Sequence, residues 1–252
     1  MAEFKIITID GPTGSGKSTV SRKIAKRFAL LHLNSGYLFR AVGFLAAQSG
    51  LLKVEHDGFN DLKSLSSPEL IDQLDKKLVE IVRANQFDFI INEDGETIFL
   101  LNKKEISSQL KENGISQLAS RVGAFKILRH ELVLKQREVA KVLEERLLSS
   151  NGLIKGLVLE GRDAGTVVFP EAKYKFYLDA PLELRAKRRF GQVADGLSLE
   201  EVIKATAERD HRDSTRDVEP LRAAKDSKIL ETGHLSADEV VRLIAVEVGL
   251  VD

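Results

Sequence analysis

The run Gly11-Pro12-Thr13-Gly14-Ser15-Gly16-Lys17-Ser18-Thr19 constrains this chain more than any other stretch. It satisfies the pattern G-x-x-x-x-G-K-[ST], a loop that cradles phosphate. Gly11, Gly14 and Gly16 let the backbone turn tightly and bring successive N–H groups toward an anion. A helix opening near Lys17 adds unpaired N–H groups and the positive end of its dipole. Lys17 supplies a point charge for the outer phosphates, and the Ser18 hydroxyl suits a Mg²⁺ shell.

The flanks give the loop the setting it needs. Phe4 to Ile9 is a β-branched run that reads as a buried parallel strand. Behind the loop, Val20, Ile24, Ala25 and Phe28 recur at helical spacing, with Arg22, Lys23, Lys26 and Arg27 on the other side. Further strands are expected at Leu30–Leu33, Gly156–Glu160, Tyr174–Leu178 and Lys228–Glu231. Helices are expected at Tyr37–Gln48, from Pro68 onward with Ile71, Leu74, Leu78 and Ile81 inward, and over Ile115–Leu148 with a break near Gly123. Ser198 to Glu201 and Ser236 to Glu239 read as capping boxes, the second opening a helix with Val240, Leu243, Ile244 and Val248 inward. Strands alternating with helices predict an α/β fold, a parallel sheet covered on both faces. The stretch 51–68 reads as loop plus short helix. Gln86–Leu101 changes to period two around Asp94-Gly95, a β-hairpin that marks an inserted subdomain.

Composition narrows the chemistry. Lys+Arg and Asp+Glu both number 38 among 252 residues, so the formal net charge is zero. That argues against a nucleic-acid binder, which is usually basic overall. Cysteine is absent, which removes disulfides and thiolate chemistry, and the histidines show no metal-ligand spacing. No signal-peptide pattern and no apolar run near the roughly 20 residues of a membrane helix is seen, so a soluble, cytoplasmic protein without membrane contact is expected.

Seven arginines run from Arg185 to Arg222 despite the zero net charge. Guanidinium binds phosphate in bidentate fashion and stays charged when desolvated, so beside a phosphate loop the group suggests a lid over a polyphosphate. Arg40 and Arg162 fall at strand-end positions where a second phosphate would enter opposite the first. Two phosphate sites facing each other imply transfer between them.

Four segments now resemble one family. They are Ile9-Asp10-Gly11-Pro12; Asn34-Ser35-Gly36 with Arg40; Glu160-Gly161-Arg162-Asp163-Ala164-Gly165-Thr166-Val167-Val168-Phe169-Pro170; and Arg209-Asp210-His211-Arg212-Asp213-Ser214-Thr215-Arg216. Together they are similar to bacterial cytidylate kinases, among the nucleoside monophosphate kinases, and Gly161–Pro170 is the most specific. The resemblance implies a P-loop kinase with a five-stranded parallel sheet. It implies a single domain over 1–252 with its core at 1–33 and 151–252, a monophosphate-binding insertion at 34–150 with the hairpin near 86–101, and a helical lid at about 182–198.

The resemblance also implies an activity and a residue map. The γ-phosphoryl group of ATP would pass to CMP or dCMP with Mg²⁺ present, in a monomer. Gly11 to Thr19 would hold the ATP phosphates, with Ser18 at the metal. Arg40, Arg162 and Arg216 would hold the acceptor phosphate. Ser35, Ser120, Arg129 and Asp163 would line the nucleoside pocket, and Asp213 would reach the sugar. Arg185, Arg188 and Arg189 would belong to the lid. Lys17, Arg162, Arg188 and Arg216 would act on the transferred group. Asn34 and Glu160 stand where the family often has Asp, and Phe39 where Tyr is common.

Base chemistry adds an expectation. A carboxylate accepts from the amino group of cytosine, and an arginine donates to its ring nitrogen and carbonyl. Uracil reverses the first pattern, so Asp163 and Arg129 are expected to choose cytosine. A rival reading is a kinase for UMP, AMP or a sugar acid, which lacks the Gly161–Pro170 segment. Another is a GTP switch, since Asn102-Lys103-Lys104-Glu105 resembles the guanine-reading box N-K-x-D. It ends in Glu, however, and no D-x-x-G motif occurs in the chain.

Overall fold

In the computed structural model the β-branched run Lys5–Asp10 forms strand β1, whose last four residues are all buried. The structure describes residues 4–52, 67–92, 97–148, 156–192 and 196–250. The loop-plus-helix expected over 51–68 and the Asp94-Gly95 turn fall largely outside them.

The chain divides into two compact units: Met1–Asn34 with Ile91–Thr97 and Ala140–Asp252, and Ser35–Ile90 with Ile98–Val139. The first holds a five-stranded sheet. β1 lies at its centre, flanked by β6 (Gly156–Gly161) and β7 (Tyr174–Asp179), with β2 (Leu31–Asn34) and β8 (Lys228–Glu231) at the edges. Every pairing is parallel. The carboxyl ends Asp10, Asn34, Gly161 and Asp179 therefore share one edge, where ligands of such sheets bind.

Helix α1 (Lys17–Phe28) buries Val20, Ile24, Ala25 and Phe28, as its spacing predicts. It packs with α8 (Ala237–Val248), and together with Ile7, Ile9, Val158, Phe176 and Leu178 they make one apolar cluster. The face of α8 is rotated from the expected one. Val241 and Ala245 join Val240, Ile244 and Val248 inside, and Leu243 stays 47% exposed. Helices α6 (Leu182–Phe190) and α7 (Leu199–Thr215) pack on each other. Both expected capping boxes are present, Ser198 with Glu201 and Ser236 with Glu239.

The second unit is built on helices α2 (Gly36–Gln48), α3 (Pro68–Ala84), α4 (Asn113–Val122) and α5 (Lys126–Leu148, reaching into the first unit). The expected break near Gly123 separates α4 from α5. Ser67 caps α3 through its side chain, with Pro68 at the first helical position. On α3 the inward face is Leu74, Leu78, Val79 and Val82. Ile71, expected inside, is 43% exposed in the first turn. Gly43 lets α2 approach α4 closely, because a Cβ there would lie 3.0 Å from that of Leu118.

Strands β3 (Phe87–Ile91), β4 (Thr97–Leu101) and the short β5 (Lys104–Glu105) are neighbours in a three-stranded sheet, in which β4 and β5 are antiparallel. Phe87, Phe89 and Phe99 are buried; Phe99 stacks on Tyr37 and meets Phe89 edge-on and Phe87 at a tilt. Asn102 and Lys103 have φ of 50° and 67°, which makes them the turn between β4 and β5. The guanine-box likeness is thus a hairpin turn.

Candidate active site

The phosphate loop runs from the end of β1 to the start of α1. Gly14 has φ 78°, and a Cβ on it would run into the backbone of Arg185. Gly16 has open space around it but φ 92°, so conformation alone demands glycine there. Lys17 is buried and arches over the loop, donating to the Pro12 carbonyl at 2.6 Å and to Ser15 Oγ at 3.2 Å. Burial lowers its pKa well below the usual lysine value. The Arg162 and Arg209 charges add to this, while Glu160 and Asp10 oppose it.

Arg162 links the loop to the rest of the first unit. It follows β6 directly. Its Nη2 donates to Thr13 Oγ1 at 2.9 Å and its Nε to Asp213 Oδ2 at 2.9 Å. Arg216 Nη1 lies 3.9 Å from Asp213 Oδ1, and its Nη2 lies 3.7 Å from Asp163 Oδ2. Arg216 also donates to the Glu219 carbonyl. Burial would raise the pKa of Asp213, but Arg162, Arg209 and Arg216 together hold it below the ordinary carboxylate range. Two of the three arginines expected at the acceptor phosphate, Arg162 and Arg216, thus meet one carboxylate beside the phosphate loop. Asp213, given to the sugar by the resemblance, has its oxygens turned to these guanidinium groups.

Asp163 is buried and begins a π-helical turn, Ala164–Val168, that no sequence pattern announced. Asp10 explains the turn. Its Oδ1 accepts the Ala164 N–H at 2.9 Å and its Oδ2 accepts the Gly165 N–H at 2.7 Å. Burial pushes the Asp10 carboxyl up to about 6.

The expected lid arginines differ in setting. Arg185 is buried: its guanidinium donates to the Ala180 carbonyl at 2.7 Å, to the Thr13 carbonyl at 3.0 Å and to Asp210. Asp210 in turn accepts the Thr13 N–H at 3.2 Å. Arg185 and Asp210 therefore brace the phosphate loop from outside it. Arg188 donates to the carbonyl and hydroxyl of Thr232, whose hydroxyl reaches the Ser15 carbonyl at 3.1 Å. Arg189 is half-buried in the last turn of α6.

A metal ion fits this end of the sheet in a limited way. Among the described residues no three metal-binding side chains converge. Mg²⁺ commonly keeps waters and takes few protein ligands beside substrate phosphates. Ser18 is exposed in the first turn of α1, and its hydrogen bond to Glu160 helps keep that buried carboxylate ionised. Burial alone would raise the Glu160 pKa, but the His32 and Lys17 charges and the hydrogen bonds from His32 and Ser18 hold it down. The His32 Nε2–H donates to Glu160 Oε1 at 3.1 Å. Asn34 stands opposite Glu160 in the β2–β6 register.

The remaining expected residues lie in the second unit. The run Asn34-Ser35-Gly36 has the residue types of a turn and helix N-cap, and Ser35 does sit at the N-cap of α2, but its side chain makes no capping bond. Arg40 donates to the Leu110 carbonyl at 3.0 Å. Arg129 is buried, donates to the Gly123 carbonyl at 3.0 Å and places its guanidinium 5.2 Å from the Phe39 ring. The Ser120 hydroxyl on α4 is buried with no hydrogen-bond partner. Asp75 on α3 accepts the N–H groups of Ile127 and Leu128 at 2.8 and 2.7 Å, fixing the turn that carries Arg129.

Sequence reasoning missed Asp10, Asp75, Asp210, His32 and Thr232. Asp10 and Asp210 lie inside segments already singled out. Their partners are distant in sequence, so nothing local marks their roles.

A family model described as cytidylate kinase matches residues 7–249. A cytidylate kinase of Thermodesulfovibrio yellowstonii is 34% identical over 248 residues, covering 97% of this chain and 98% of the relative. One from Streptococcus sanguinis is 36% identical over 241 residues, covering 94% and 93%. A solved Thermus thermophilus structure aligns over 99% of this chain and 100% of its own, with 18% identity and a TM-score of 0.46.

Proposed function

The chain belongs to the cytidylate kinase family and phosphorylates CMP or dCMP from ATP; we propose that it does so with the residues assigned below. Lys17 and the loop Gly11 to Thr19 take the donor phosphates; Pro12 has no N–H to give, and that of Thr13 is held by Asp210. Arg162 and Arg216 in the first unit supply cations for the acceptor phosphate and the transferred group. From the second unit, the resemblance assigns Arg40 to the acceptor phosphate and Ser35, Ser120 and Arg129 to the nucleoside. The unpartnered Ser120 hydroxyl and the buried Arg129 suit that role. Asp163 reads the cytosine amino group. Asp213 holds the two arginines, and the resemblance gives it the sugar as well. Arg185 braces the loop, and Arg188 and Arg189 serve as lid cations.

The acceptor is an already ionised phosphate oxygen, so no general base is required. It attacks the γ-phosphorus while the bond to the ADP oxygen breaks, and catalysis is positioning plus charge neutralisation. Ser18 would hold Mg²⁺, with Glu160 orienting the Ser18 hydroxyl; when bound, the ion neutralises phosphate charge. In line with the family resemblance, the working unit is a single chain and its compartment the cytoplasm.

One observation carries the residue assignment: Arg162 touches the phosphate loop at Thr13 and shares Asp213 with Arg216. ADP release measured with CMP, dCMP, UMP and AMP in parallel tests the reading. The two cytosine nucleotides should be turned over well ahead of the others. Equal rates with UMP or AMP would contradict it.

A further inference from the structure

We propose that Asp10 is a positioning residue for acceptor choice, its carboxylate holding the Arg162-Asp163 pair in register with the phosphate loop. The inference rests on the assignment of Asp163 to cytosine made above.

Asp10 ends β1 and immediately precedes Gly11, so it is attached to the start of the loop. It stands level with Gly161 on β6, one residue before Arg162. The two N–H groups it accepts belong to the first two residues after Asp163. On the other side of the pair, Arg162 reaches Thr13 within the loop. Arg162 and Asp163 are therefore tied to the phosphate loop both before and after, once through Thr13 and once through Asp10.

The chemistry at Asp10 is specific. Two diverging N–H donors need two acceptors with no donor between them, which a carboxylate provides and a carboxamide does not. The segment also has no slack beneath it. A Cβ at Gly165 would lie 2.7 Å from Thr8 Oγ1 and 3.4 Å from Asp10 Oδ2. Gly165 is thus pressed onto β1 while its N–H is held by Asp10. Keeping a carboxylate at 4% exposure works against solvation. A turn that needed only one hydrogen bond to close would be served by a neutral side chain.

Three variants separate the possibilities: Asp10→Asn, Gly165→Ala and Asp163→Asn. For each, kcat/KM is measured with CMP and with UMP, the affinity for a non-hydrolysable ATP analogue by calorimetry, and amide exchange at residues 164 and 165 by NMR. Asp163→Asn should shrink the CMP-to-UMP ratio by roughly tenfold or more, as expected for a mismatched buried polar pair. Asp10→Asn should shrink it by a similar factor, speed exchange of the two amides and leave analogue affinity within about threefold. Gly165→Ala should act in the same direction from the opposite side.

A wild-type ratio in Asp10→Asn beside a reduced one in Asp163→Asn would overturn the role of Asp10 alone. An unchanged ratio in Asp163→Asn would overturn the cytosine assignment, and the selectivity role of Asp10 with it. A uniform loss with every nucleotide, ATP analogue included, would reduce Asp10 to a structural cap and overturn the proposal. If Asp10→Asn does not fold, Gly165→Ala decides, and a wild-type ratio there counts against it.

Discussion

At Lys17 burial and two neighbouring guanidinium groups oppose the ammonium, and the Glu160 and Asp10 carboxylates offset them only in part. Burial and the Arg162 and Arg209 charges depress its pKa. Replacing it with a side chain of similar volume removes that conflict. Lys17→Met should therefore lose about 10²–10³-fold in kcat, the usual cost of removing one fixed charge from a transition state, with an unfolding midpoint no lower than wild type in urea. Turnover near wild type would contradict the role. Asp10 gives a prediction of its own. Burial raises its carboxyl from 3.8 to about 6, helped by Asp163 and opposed by Lys17 and the N–H groups of Gly165 and Ala164. A raised folded pKa means that its share of stability is full below pH 3.8 and is lost as pH rises through 6. The stability of wild type relative to Asp10→Asn should fall by about 3 kcal/mol across that window and stay level above it. Urea denaturation of both proteins between pH 4 and 7 measures this, and parallel curves would refute the assignment.

Among the elements, α5 shows how a helix end places a functional side chain. Its first N–H groups have no partner within the helix. Asp75 on α3 accepts two of them, those of Ile127 and Leu128, from a buried position. Arg129 belongs to the same turn. Asp75→Ala should cost about 1–3 kcal/mol, the range for losing a cap and stranding buried donors. It should also raise KM for CMP more than KM for ATP. Urea denaturation and steady-state kinetics check the two halves; an equal rise in both KM values would detach the cap from acceptor binding. The exposed helix ends behave differently. Ser67, Ser198 and Ser236 cap their own helices through residues three positions on, so their roles are legible from sequence alone.

For the whole molecule, 38 basic and 38 acidic residues leave zero formal net charge at pH 7. Chains without net charge repel one another least, so solubility in a polyethylene glycol titration should be lowest near pH 7 and rise on either side; a monotonic trend would argue against this charge balance governing association. The balance also shows why charge counting could not locate the site, because cations and carboxylates are matched locally. Arg162 meets Asp213, and Arg185 meets Asp210. Sequence alone determined the phosphate loop, the parallel strands, the α1 face and the Ser198 and Ser236 caps. Each depends on sterics, hydrogen bonds or periodicity within a few neighbouring residues. The α3 and α8 faces were less legible. Ile71 and Leu243 fit the helical period, but what a helix packs against decides which of its apolar residues are covered. Only the tertiary structure decided that Asp10 holds Gly165, 155 residues away, and that Asp213 holds Arg162 across 51. A carboxylate has the same local preferences whichever donor it serves. Its partner is chosen by where the sheet brings strand ends together, and that order is set by packing of the whole unit.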